Sequence, residues 1–70
     1  MTSLALQQAA AEVSATEKEM AAAIANFEAA TFRGDAARLH LTTEAAHAAL
    51  QAHLDAKASL WAVAKRETFR

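Results

Sequence analysis

The chain has 70 residues, no cysteine, no proline and one glycine, and its seven basic and eight acidic side chains leave a formal net charge of −1 at pH 7. That length admits one small domain whose core struggles to offset the entropy of ordering the chain, and disulfides cannot supply the difference. Near-neutral charge disfavours a nucleic-acid surface, and no stretch approaches the roughly 18 apolar residues of a bilayer span.

The 54% hydrophobic share is swollen by alanine, which favours helix strongly but buries little area. Without proline, nothing interrupts a helix interior. The opening MTSLALQQ has neither the basic segment nor the continuous apolar run of a secretory signal, so a soluble, cytoplasmic, almost wholly helical protein is expected.

The first predicted helix spans residues 3–33, with Thr2 or Ser3 able to cap its first amides. At 1.5 Å per residue it is roughly 45 Å long. Leu6, Val13, Met20 and Phe27 recur every seven residues, with Ala9, Ala23 and Ile24 beside them, which is a coiled-coil stripe. Ala11, Lys18, Ala22 and Ala29 lie opposite. Ser14 with Glu17, and Thr16 with Glu19, have capping-box spacing, but the stripe runs straight through both pairs.

The lone glycine, Gly34, sits between Arg33 and Asp35, and these three residues are read as a tight turn with Asp35 capping a second helix over residues 36–67. On that helix Leu39, Leu50, Leu54 and Trp61 share one face, flanked by Thr43, Ala46, Lys57 and Ala64. The centre of this face is displaced by roughly a third of a turn from the first stripe. A mid-helix glycine costs only about 1 kcal/mol, so a single rod remains open, but glycine, cap and phase break together favour a hairpin.

Folding back at Gly34 makes neighbours of residues whose numbers sum to about 69. Trp61 then lies near Ala9, Leu54 near Ala15 and Thr16, Leu39 near Ala30, and Glu12 beside Lys57, so that large side chains meet small ones. Residues 1–32 carry one Lys against four Glu, or −3, whereas residues 33–70 carry six cations against four acids, or +2. A further stripe of Leu41, Ala45, Ala48, Ala52, Ala56 and Val63 runs nearly opposite the Leu/Trp face, marking either a second partner or a solvated alanine surface.

Chemistry is sparse. His40, Glu44 and His47 are spaced i, i+4 and i+7, and Glu-x-x-His is a ligand pair in di-metal helical bundles, so these three are the candidate metal ligands, with Glu28 or Glu17 completing a site. The competing reading has both histidines bordering the apolar face with wet ring nitrogens and Glu44 solvated. His53 lies on the opposite border. Trp61 and Phe69 stand among Lys57, Lys65, Arg66 and Arg70, but Asp55 and Glu67 interrupt the patch. No nucleophile is paired with a base, and a hairpin offers little concavity, so neither an enzyme nor a cofactor is expected.

The segment Phe27-Glu-Ala-Ala-Thr-Phe-Arg-Gly-Asp-Ala-Ala-Arg-Leu-His and the later run His47-Ala-Ala-Leu-Gln-Ala-His-Leu resemble the small E-type co-chaperones of type III secretion needle subunits. The resemblance covers the central half of the chain. It implies a helical hairpin turning at Arg33, Gly34 and Asp35, whose apolar faces dock on a tetratricopeptide-like chaperone and help hold the needle subunit soluble in the cytoplasm. In architecture alone the chain is also similar to the Rop-type RNA-binding dimer, in which two hairpins form an antiparallel four-helix bundle; no RNA-facing motif carries over.

The expectation is therefore an all-α, antiparallel two-helix hairpin in one domain, completing a four-helix bundle by dimerisation or by docking on another protein. Its function is protein–protein association as a small chaperone or adaptor. The alternative is a self-associating homodimeric four-helix bundle with a regulatory, Rop-like RNA-binding role or a metal-binding one. Leu6, Val13, Met20, Ile24, Phe27, Leu39, Leu50, Leu54 and Trp61 are expected to carry the interface.

Overall fold

A computed structural model describes residues 3–69. Two helices, α1 (Leu4–Arg33) and α2 (Ala36–Thr68), pack against each other as an all-α hairpin; Thr2, the other candidate cap, and Arg70 lie outside the described residues. The hairpin is a slab with principal extents of 52 × 15 × 11 Å. No helix of the described residues is long and apolar enough to cross a membrane.

Each helix end is closed by side chains that the sequence places there. The Ser3 hydroxyl accepts from the Leu6 amide at 3.0 Å and donates to the Glu67 carboxylate, which ties the start of α1 to the end of α2. At the turn Gly34 adopts φ 65°, ψ 28°. Its amide donates to the Thr31 carbonyl at 3.2 Å and the Asp35 amide reaches the Ala30 carbonyl at 3.4 Å, the paired bonds of a Schellman motif. Asp35 then caps α2 by accepting from the Arg38 amide at 3.1 Å, so a two-residue turn closes one helix and opens the next. Arg33, Lys65 and Arg66 complement the negative dipole ends of their helices.

Only left-handed backbone makes Gly34 necessary, because a Cβ added there would meet no heavy atom within 4 Å. Gly34→Ala is accordingly expected to cost about 1–2 kcal/mol in urea denaturation, the penalty of placing an L-residue in this region. A loss above about 3 kcal/mol would reveal a steric role that the open space denies.

On α1 the buried and half-buried positions are Leu6, Ala9, Val13, Thr16, Met20, Ala23, Phe27 and Ala30, alternating steps of three and four. This is the seam of a left-handed antiparallel pair. On α2 the same alternation selects Leu39, Thr42, Ala46, Ala49, His53, Ala56, Leu60 and Val63. Thr16 meets His53, which fixes the register at a sum of 69. At that register Met20 comes level with Ala49, Val13 with Ala56, Phe27 with Thr42, Leu39 with Ala30 and Leu60 with Ala9, so bulk on one helix is matched by small residues on the other.

Here the sequence expectation for α2 needs correction. Leu50, Leu54 and Trp61 do not face α1; they are 43%, 48% and 68% exposed. Ala56 and Val63, assigned to the opposite stripe, lie in the seam instead. On α1 Ile24 likewise stands outside the seam, at 40% exposed. The pairing of Glu12 with Lys57 also fails: among the described residues the ion pair is Arg38 with Asp35, and a His40 imidazole stands 3.4 Å from Glu44. Glu12 precedes seam residue Val13 and Lys57 follows seam residue Ala56, which puts them on opposite broad faces of the slab.

Candidate docking face

Two broad faces flank the seam, and they differ in chemistry. One carries Glu12, Glu19, Asn26 and Arg33 from α1 and Arg38, Ser59 and Arg66 from α2, all exposed. Near the turn this side holds a polar groove between Asn26, Arg33, Arg38 and Thr42. The other face carries Ile24, Leu50, Leu54 and Trp61, with the edges of half-buried seam residues showing between them. Leu6, Gln7, Ala10, Leu60, Trp61 and Ala64 line an apolar groove at the open end, and Ile24, Phe27, Thr43, Ala46, His47 and Leu50 line a second near the turn.

The seam beneath is thin. Its buried residues are Ala30, Ala56, Thr16 and His53, and among the described residues no large side chain falls below 2% exposure. A surface of 5324 Å² exceeds the ~4,200 Å² of a compact protein of this mass by about a quarter. Elongation accounts for part of that excess. The apolar side of the slab accounts for what makes it costly.

Of the nine residues expected to form the interface, Leu6, Val13, Met20, Phe27 and Leu39 form the intramolecular seam, whereas Ile24, Leu50, Leu54 and Trp61 border it together on one side. Reasoning from the sequence missed Leu60 and the buried pair Thr16 and His53. The signal was present: His53 is seven residues from both Ala46 and Leu60, in strict phase with Leu39.

The buried polar pair is self-contained. Thr16 Oγ1 donates to the Glu12 carbonyl at 2.9 Å and stands 3.0 Å from His53 Nδ1. Oγ1 and Nδ1 share one hydrogen bond whose donor is set by the ring tautomer, and the hydroxyl also has the Glu12 and Val13 carbonyls as acceptors on its own helix. The two residues are therefore unequal. His53→Leu leaves Thr16 bonded to its own helix and is expected to be neutral or stabilising, whereas Thr16→Val strands a buried ring nitrogen and should cost about 1–3 kcal/mol in urea denaturation. Equal losses from both variants would mean that shape, rather than hydrogen bonding, places the histidine.

The candidate metal ligands do not converge. His40 Nε2 lies 3.4 Å from Glu44, both well exposed, and no group of three His, Cys, Asp or Glu among the described residues is gathered around a common point. Residues 40 and 47 stand about 10.5 Å apart along the helix axis, and neither Glu17 nor Glu28 joins them in such a group. Lys57, Lys65 and Arg66 occupy successive directions around α2 rather than one patch, as steps of eight and one residues require.

Compared with known protein families, curated proteins and solved structures, the chain matches none.

Proposed function

We propose that this chain is a non-enzymatic protein–protein association module whose working surface is the face formed by Ile24, Leu50, Leu54 and Trp61. One observation carries this reading: four large apolar side chains lie uncovered on the same side of a seam in which, among the described residues, the buried apolar side chains are alanines. A chain with so little internal core gains most of its stability by burying that side against other helices. Chaperone or adaptor duty, which the co-chaperone resemblance implies, is association through such a face with a larger helical protein as the occupant.

Sedimentation equilibrium and circular dichroism over a ~100-fold dilution series test it, because a module completed by association has concentration-dependent mass and melting temperature. An oligomer that loses helix on dilution, or a weakly helical chain lacking its partner, is the expected result. A fully helical 7.4 kDa monomer whose melting temperature ignores concentration would overturn the reading.

A further inference from the structure

We propose that a second copy of this chain covers the apolar face, turned so that its α2 lies on α1 and both turns sit at the same end of a four-helix bundle. This rests on reading the face as a docking surface.

Area and symmetry select a second copy. The slab is 52 Å long and 15 Å wide, a footprint close to the ~800 Å² per partner of a stable protein interface. Another hairpin of the same chain brings a surface of the same length and apolarity, and a two-fold contact needs no other component.

The distribution of side-chain size selects the orientation. On this face the bulk belongs to α2, with Leu50, Leu54 and Trp61. At matching heights α1 presents Ala21, Ser14 and Ala10, as the Thr16–His53 register and the grooves show. A two-fold axis along the bundle places Trp61 of one copy over Ala10 of the other, Leu54 over Ser14 and Leu50 over Ala21, in both directions at once. An axis across the bundle stacks α2 on α2 and α1 on α1, setting leucine against leucine and alanine against alanine, which leaves one half crowded and the other hollow.

Charge selects the same arrangement. The chain up to residue 32 carries −3 and the remainder +2, so each acidic helix lies on a basic one when the turns share an end. Glu17 then stands about 7.5 Å in height from the other copy's Lys57, five residues along the slab from level. The crosswise axis brings the two Glu17 carboxylates together near mid-length, a like-charge contact that a dry interface penalises.

Because the chain has no cysteine, a single spin label on Ala37→Cys, exposed beside the turn, reports the geometry by pulsed dipolar spectroscopy on the full chain. Labels roughly 20–30 Å apart, as helix spacings of 8–10 Å plus two linkers allow, in a species of twice the monomer mass, are the expected result. Two labels about 50 Å apart, near the 52 Å length of the slab, would overturn the orientation, as would a dimer that survives Leu50→Glu with Leu54→Glu. A poorly helical monomer would overturn the second copy as occupant while the docking face stands; a stable helical monomer indifferent to those two substitutions would overturn both.

Discussion

Leu50→Glu combined with Leu54→Glu is expected to raise the dissociation constant of the assembled protein at least about 100-fold, while Ala45→Glu with Ala52→Glu on the other side of α2 changes it little. Burying an unpaired carboxylate in a dry contact costs several kcal/mol per group, far more than the loss of a methyl contact, and a two-fold interface would meet each substitution twice. Within the lone hairpin both leucines are already about half exposed, at 43% and 48%, so the substitutions do little to the seam itself. The expected signature is loss of mass in sedimentation together with a melting temperature that falls steeply on dilution. If the double variant assembles as the parent does, the apolar face is not where the chain associates.

Ala56→Leu is expected to destabilise the hairpin by about 1–3 kcal/mol, the usual penalty for forcing added methylenes into a packed contact. Ala56 is 6% exposed and comes level with Val13, so its Cβ points into space that a second branched side chain already fills. Ala48→Leu, two turns earlier on the exposed surface, should stay within about 0.5 kcal/mol. Urea denaturation of the two variants side by side separates them. The comparison divides a stripe that looks uniform in sequence: from Leu41 to Ala52 it faces outward, and from Ala56 to Val63 it belongs to the seam. Equal effects at both positions would contradict the register that Thr16 and His53 define.

The two leucine substitutions and the alanine substitution probe different surfaces of the same helix, and their contrast explains how the molecule is divided. The seam holds two helices in register by setting large apolar residues of one against small residues of the other, with one buried polar pair. Leu50, Leu54 and Trp61 of α2 lie beside it, exposed. A protein that placed Leu50, Leu54 and Trp61 in its seam would have a better core and nothing left for association.

The sequence by itself determined the hairpin. Gly34 is the sole residue suited to a left-handed turn, Asp35 caps the second helix, and the strict seven-residue recurrence of Leu6, Val13, Met20 and Phe27 marks the face of α1 that packs within the chain. The sum-of-69 register came from turn position alone, since a two-residue turn leaves antiparallel helices little freedom to slide. What only the tertiary structure decided was the face of α2. Size and hydropathy pointed to Leu50, Leu54 and Trp61, but over the middle of the seam Val13, Met20 and Phe27 of α1 already supply the bulk, and close packing requires small residues opposite them. There alanine, threonine and even histidine turn inward and Leu50, Leu54 and Trp61 turn aside, while Leu39 and Leu60 enter the seam where α1 offers Ala30 and Ala9. Which residues enter the seam, and which are left outside it, depends on volume matching between the helices, a property of neither helix read alone.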